Sequence, residues 1–302
     1  MADTLCIGVD IGGTWVRLIA QSEPGERSDV VTISVPGTTE AIVDTVAAVA
    51  QELAAGRAIS SLAIGLPGQT GREVPVWIPN LRFLDSYPLA ATVSARLGTR
   101  VTLINDADAT LMAESREGAA VGKANVLLVA FGTGIGGSIL VNGQIMYGRS
   151  GCAGSFGWLS LDDSAPDADH GQWEQRASGK ALDVLAEPWG GASELLQAAN
   201  AGELRATQVI DTFGALIGRG LAALASIFDP DLIVFSGGLT QSFDMLEGPI
   251  KAACSAYASP TGRDVPLVPG KLGIHAGVVG ALHAAFETNQ EMEARDKCKT
   301  QL

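Results

Sequence analysis

The chain has 302 residues, 47% hydrophobic and 18% charged, enough apolar material for a sizeable core and about two domains, which argues against disorder. Its 20 Lys and Arg stand against 33 Asp and Glu, a formal net charge of −13 with a pI near 4.6. That balance argues against a nucleic-acid surface, but a small anionic ligand held by backbone N–H groups remains compatible with it.

No basic leader precedes the first apolar stretch, which Asp10 interrupts, and no run of 18 apolar residues occurs, so neither a secretory signal nor a membrane span is expected. Cys6, Cys152, Cys254 and Cys298 form no CxxC pair, and reduced thiols in a cytoplasmic protein are the simpler reading. Leu5–Asp10 reads as a strand ending in an acid, Gly12-Gly13-Thr14 as a turn, and Trp15–Ala20 as a second strand. A third strand is expected over 28–36, then a helix over 39–56 stopped by Gly56. Ser61–Leu66 reads as a buried strand closed by Pro67-Gly68, residues 88–97 as a helix, Val101–Ile104 as a short strand, and Ala107–Gly118 as a helix that starts at its end.

The pattern then restarts. Asn125–Phe131 is an apolar strand, Gly132–Gly137 a glycine loop, Ser138–Val141 a strand, Asn142-Gly143 a tight turn, and Gln144–Tyr147 another strand. Strand, glycine turn, strand thus occurs twice, a weak internal duplication that suggests two α/β domains. Residues 150–180 read as irregular, 207–228 as helix, Leu232–Phe235 as a strand running into Ser236-Gly237-Gly238, and 275–289 as a final helix. The domain boundary is expected near residue 112, giving 1–112, completed by the C-terminal helix, and 113–302.

Gly132, Gly134 and Gly137 fit GxGxxG, but a strand follows where a dinucleotide fold requires a helix, and GxxxxGK[ST] is absent. Two glycine hairpins can approach phosphates closely, with Thr14 and Thr133 adding hydroxyls; ordinary tight hairpins favour the same residues. Asp10, at a strand end, can hold Mg²⁺ or simply cap a turn. Asp106, after a strand and before a helix, can take a proton from an attacking hydroxyl or serve as an N-cap, a role open equally to Asn105 and Asp108.

VDIGGT (Val9–Thr14), GLPG (Gly65–Gly68), NDADATLMAE (Asn105–Glu114), FGTGIGGSI (Phe131–Ile139), GCAGSFGW (Gly151–Trp158), WEQRASG (Trp173–Gly179), FSGGL (Phe235–Leu239) and GIHAGVVGAL (Gly273–Leu282) follow the order of motifs in the ROK family. The chain resembles that family of bacterial sugar kinases and sugar-responsive repressors over nearly its whole length. The resemblance implies an actin-like, hexokinase-like (ribonuclease H-like) two-domain α/β ATPase fold with a central cleft. It also implies ATP and Mg²⁺ as cofactors, a small sugar or sugar-like substrate as partner, no nucleic acid or membrane, and a homodimer by family analogy. The kinase branch is favoured, since no DNA-binding helix-turn-helix precedes the first hairpin.

By the same resemblance, Asp106 is the base that activates the primary (6-) hydroxyl of the sugar. Gly68, Asn80, Asn105 and Glu174 contact the sugar, and Gly12, Gly13, Thr14, Gly132, Thr133 and Gly134 hold the ATP phosphates. Asp10 positions Mg²⁺, and Gly237 and Gly238 line the adenosine pocket.

The chain departs from the family where most members carry GEIGH. Here GSFGW puts Ser155 in place of a sugar-binding Glu and Trp158 in place of a His that binds sugar and zinc. Ala165, Asp167 and Gln172 stand where the family's zinc cluster lies, so no zinc is expected, and His170 reads as a solvated loop residue. Trp158 either packs on a ring face or fills the void left by zinc. The loss points to an aminosugar such as 3-amino-3-deoxyglucose (kanosamine), or a cyclitol, rather than glucose. Glucokinase proper and a non-catalytic sugar-binding regulator are the alternatives.

Overall fold

The computed structural model describes residues 4–23, 25–70, 74–78 and 81–300. In chain order, β1 (Thr4–Ile11) and β2 (Trp15–Glu23) form a hairpin, followed by β3 (Val31–Ser34), α1 (Thr39–Ala54), β4 (Ile59–Leu66), α2 (Leu89–Leu97), β5 (Arg100–Asn105) and α3 (Asp106–Glu117). A second hairpin, β6 (Val126–Phe131) and β7 (Ile135–Val141), leads to the short β8 (Gln144–Ile145). Then come α4 (Gln172–Ala177), α5 (Gly179–Ala186), α6 (Ala192–Asn200), α7 (Leu204–Phe228), β9 (Leu232–Ser236), α8 (Phe243–Tyr257), β10 (Leu267–Pro269) and α9 (Ala276–Thr300).

These elements form two compact units. The first holds the chain through Glu117, then Tyr147–Cys152 and the chain from Ile274; the second holds Gly118–Met146 and Ala153–Gly273. The expected boundary at 112 falls inside α3. Each unit has one five-stranded mixed sheet, ordered β3-β2-β1-β4-β5 in the first and β10-β9-β6-β7-β8 in the second. Read from the opposite edge, the second order is β8-β7-β6-β9-β10. Strand for strand it repeats the first, with an antiparallel hairpin and two further parallel strands in each.

In the first unit, α1 starts on Thr38, whose extended backbone lets Oγ1 accept the Ala41 N–H (3.2 Å). It ends at Ala54, two residues before the expected Gly56, because Ala55 takes the left-handed position at φ +49. Ile42, Val46 and Ala50, on its inner face, pack into a core with Ile7, Val9, Leu62 and Ile64 of β1 and β4.

The other face of that sheet carries α9. A Cβ at Gly8 of β1 would overlap the Leu282 backbone, and one at Gly280 of α9 would overlap the Ala109 carbonyl of α3. The bare backbones of Gly8 and Gly280 therefore let one helix sit directly on both β1 and α3. At the far end of α3, Glu117 joins the same packing. It takes a forked pair of bonds from Arg27 (2.9 and 2.5 Å) and lies 2.6 Å from His283 Nε2 of α9. Arg27 holds the Glu117 carboxyl down at about 2.

The second core is built on aromatic rings. Phe131 of β6 stacks on Phe235 of β9 with centroids 4.6 Å apart and meets Trp173 of α4 edge-on at 5.5 Å. Trp173 is buried and its indole N–H donates to the Leu216 carbonyl of α7 (3.1 Å). Alone among the described helices, α7 is long and apolar enough to cross a membrane by length and composition, yet Phe213, Ile217 and Leu221 bury it in this core. The stretch expected to be irregular, 150–180, contains α4 and the start of α5; α6, α8 and β10 had no counterpart in the sequence reading.

Replacing Gly280 by Ala forces a Cβ into backbone atoms that cannot step aside. It is expected to lower the unfolding free energy by about 2–3 kcal/mol in urea titrations. Gly37→Ala, in the loop before α1, where nothing lies within 4 Å, is the control and is expected to stay within about 0.5 kcal/mol of wild type. Equal effects at both positions would rule out close approach as the role of Gly280.

Candidate active site

Two clusters of chemistry-bearing residues stand at the carboxyl ends of parallel strands, one in each unit. In the first unit β1 ends at Asp10, paired in the hairpin ladder with Arg17. Arg17 Nη1 lies 3.5 Å from Asp10 Oδ2, with side chains only 17% and 13% exposed. Arg17 Nε is buried without a hydrogen-bond partner. Gly65 of β4 stands opposite Asp10, and a Cβ on Gly277 of α9 would come within 3.1 Å of the carboxyl. Backbone without side chains thus walls the carboxyl from water, and burial pushes it up to about 6 against the pull of Arg17. Arg17 is not among the site residues expected from the sequence. The signal was its position, seven residues on and across a tight hairpin from Asp10, in register on the same face.

Asp106 is the first residue of α3, directly after β5. The cap that the sequence left open among three residues belongs to Asn105. Its Oδ1 accepts the N–H groups of Ala107 (2.9 Å) and Asp108 (3.2 Å), and its Nδ2 donates to the Gly68 carbonyl (2.8 Å). Asp106 Oδ1 also accepts the Ala107 N–H (2.8 Å). Burial above all, then the charge of Asp10, pushes the Asp106 carboxyl up to about 7. Two largely enclosed carboxylates therefore repel each other, and Asp10 alone of the two is paired with Arg17. This hard-oxygen set fits Mg²⁺, which takes one or two carboxylates and otherwise keeps waters and phosphate oxygens. The Gly12–Thr14 turn closes with Gly12 N–H on the Trp15 carbonyl (2.9 Å), leaving Gly13 and Thr14 exposed. Asn80 lies outside the described residues.

In the second unit the Gly132-Thr133-Gly134 turn links β6 to β7, and Gly237-Gly238 follows β9 at the same edge of the sheet. Gly237, at φ +86, has its Cβ position 2.5 Å from the Phe131 carbonyl oxygen, so only glycine fits there. Glu174, on α4, turns toward the hairpin, and its Oε2 accepts the Ile135 N–H at 2.7 Å. A 3-10 turn at Phe156–Trp158 follows Ser155. Ser155 is exposed and Trp158 half exposed, while Phe156 is the ring that is buried, over Gly137. Trp158 therefore does not fill an interior void.

Where the resemblance implies a lost zinc cluster, hydrogen bonds hold the chain. Gln172 Nε2 donates to the Asp162 carbonyl (3.0 Å), to Asp162 Oδ1 and to Ser164 Oγ (3.0 Å), and its Oε1 accepts the Leu161 N–H (2.7 Å). Arg176 bonds Asp162 Oδ2. Exposed His170 bonds Asp167, which the backbone N–H groups of Asp169 and His170 hold below the usual carboxylate range. Among the described residues, no three His, Cys, Asp or Glu side chains converge to hold a metal ion.

The model of the ROK family matches residues 6–287. A glucokinase of Streptomyces coelicolor is 32% identical over 95% of this chain and 99% of its own. An N-acetyl-D-glucosamine kinase of Vibrio atlanticus is 27% identical over 91% and 97%. Among solved structures, a ROK family glucokinase of Streptomyces griseus, in complex with glucose and AMPPNP, superposes with a TM-score of 0.78. It is 29% identical over 94% of this chain and 99% of that one.

Asp10 and Asp106 titrate at about 6 and 7 in the fold but near 3.8 when unfolded. As pH rises through about 4 to 7 the unfolded chain loses these protons first, so folded stability falls. Asp106→Asn, measured in EDTA without nucleotide, is therefore expected to be more stable than wild type at pH 8, with the gap closing toward pH 4. A variant that melts no higher than wild type at pH 8 would remove the buried-charge account.

Proposed function

The chain belongs to the ROK family, and from that premise we propose that it is an ATP-dependent carbohydrate kinase acting on the primary hydroxyl of a hexose-like ring, with Asp106 as general base. The observation that carries this reading is the state of Asp106. It sits at a strand end, with Oδ1 held by the Ala107 N–H at the start of α3, and desolvation together with the charge of Asp10 lifts its carboxyl to about 7. A base poised near the working pH combines adequate ionisation with strong proton affinity.

In the proposed reaction the substrate hydroxyl gives its proton to Asp106 as its oxygen attacks the γ-phosphorus. The bond to the β-phosphate oxygen breaks, leaving a sugar 6-phosphate and ADP. Catalysis of this kind rests on positioning and charge neutralisation. The Gly12–Thr14 and Gly132–Gly134 turns are read as holding the phosphates: the Gly12 and Gly132 N–H groups close the turns on the Trp15 and Gly134 carbonyls, and Gly13, Thr14, Thr133 and Gly134 are the donors; Gly237 and Gly238 are read as neighbours of the adenosine. Asp10 would hold Mg²⁺, which when bound offsets phosphate charge. We read the protein as a cytoplasmic homodimer, with Cys6, Cys152 and Cys254 joined in no disulfide.

For the acceptor we propose an aminosugar such as 3-amino-3-deoxyglucose, or a cyclitol. Ser155 leaves room where a carboxylate would bind ring hydroxyls, and half-exposed Trp158 offers an aromatic face. The glucokinase relatives favour glucose as the second reading.

Asp106→Asn is expected to reduce kcat by at least about a hundredfold with nucleotide affinity retained. The wild-type kcat/KM is expected to fall tenfold per pH unit below about 7, the folded pKa of Asp106. Near-normal turnover by the variant would exclude Asp106 as the base. An ADP-release assay with MgATP over glucose, mannose, glucosamine, N-acetylglucosamine, N-acetylmannosamine, 3-amino-3-deoxyglucose and cyclitols tests the acceptor. An amino or cyclitol ring is expected to have the highest kcat/KM; glucose ahead of them all would leave the glucokinase reading. No turnover by protein that binds sugar would favour the regulator.

A further inference from the structure

We infer that Glu174 is a positioning residue for the Gly132–Gly134 hairpin, setting its backbone N–H groups for the nucleotide independently of any sugar contact. The inference rests on the reading of that hairpin as a phosphate loop.

Glu174 is bound into the turn. Its Oε2 accepts the Ile135 N–H at 2.7 Å, just where the turn re-enters β7. A Cβ on Gly134 would overlap this same oxygen, and one on Gly157 would lie 3.1 Å from it, so two bare glycines enclose the carboxylate. The other side of the turn is fixed from the same short stretch of chain. Gly179 N–H donates to the Gly132 carbonyl at 2.8 Å, and a Cβ on Gly179 would sit 2.7 Å from that oxygen. The stretch is itself anchored. Trp173 is buried and bonded to Leu216, the Glu174 carbonyl accepts the Ser178 N–H (3.2 Å), and Gln172 and Arg176 bind Asp162 on either side.

A turn rich in glycine has many conformations to lose when it binds a ligand, and bonds that order it beforehand lower that cost. Two anchors at Gly132 and Ile135 flank Thr133 and Gly134, whose N–H groups are read as the phosphate donors. Electrostatics sharpens the assignment, because a carboxylate beside an anion-binding loop repels the anion. Glu174 therefore costs nucleotide affinity through its charge and returns more through the bond it accepts. Gln retains an acceptor oxygen without the charge, whereas Ala loses both.

Calorimetric titration with MgAMPPNP, without sugar, separates the roles. Glu174→Ala is expected to weaken binding by about tenfold or more, and Glu174→Gln to stay within about threefold of wild type or bind more tightly. Gly179→Ala, which displaces Gly132 without touching Glu174, is expected to weaken binding as well, and it carries the test if Glu174→Ala does not fold. Folded Glu174→Ala binding as wild type does, or Glu174→Gln losing as much as Glu174→Ala, would overturn the inference, leaving Glu174 a sugar ligand alone or a charge contact. Wild-type protein that binds no MgAMPPNP would overturn the phosphate-loop reading instead.

Discussion

The first unit depends on one close approach, that of helix α9 to strand β1 and helix α3. Gly8 and Gly280 remove the side chains that would hold these backbones apart, and Gly277 brings the first turn of α9 to the Asp10 carboxyl. Contact of this kind has no room for water. Exclusion of water is also the main reason that Asp10 and Asp106 titrate near neutral pH. The same packing that stabilises the unit therefore sets its chemistry, and the unit carries two carboxylates that solvent would have left as ordinary acids.

The second unit reaches order by a different route on the same strand plan. Its glycine turn is covered by Glu174 and Gly179, two residues of one short segment, rather than by a long helix. The aromatic core of Phe131, Trp173 and Phe235 fixes the positions from which those residues reach. Repetition of the strand order thus does not extend to what supports each hairpin. The duplication preserves the turn and the parallel strand beside it, and the supporting contacts are particular to each copy.

Much of this was legible in the residues themselves. Apolar runs ended by Gly, Pro or Asp marked every strand of both sheets but β10, and the spacing of Ile42, Val43, Val46, Val49 and Leu53 marked α1. What escaped notice was short or distant. α4 has six residues, begins at Gly171 without a side-chain cap, and lies in a polar stretch, so neither periodicity nor capping announced it. β10 has three residues. The bond from Glu174 to Ile135 spans 39 positions of chain, and nothing local in either residue records it. Asn105, by contrast, stood among the cap candidates on local grounds, and its additional bond to Gly68 required the parallel pairing of β4 with β5.

The order of these elements along the chain governs when each unit can become complete during synthesis. β1 to α3 leave the ribosome by Glu117, but α9 begins at Ala276, roughly 160 residues later. At about 5–20 residues per second that is a wait on the order of ten to thirty seconds. Throughout it the face of the sheet around Gly8 has no cover, and the flank of α3 at Ala109 has no neighbour. The second unit has no such dependence, since Gly118–Met146 and Ala153–Gly273 are finished before α9 exists. The nascent chain thus closes the second unit first, and the unit that begins the sequence is the last to be sealed.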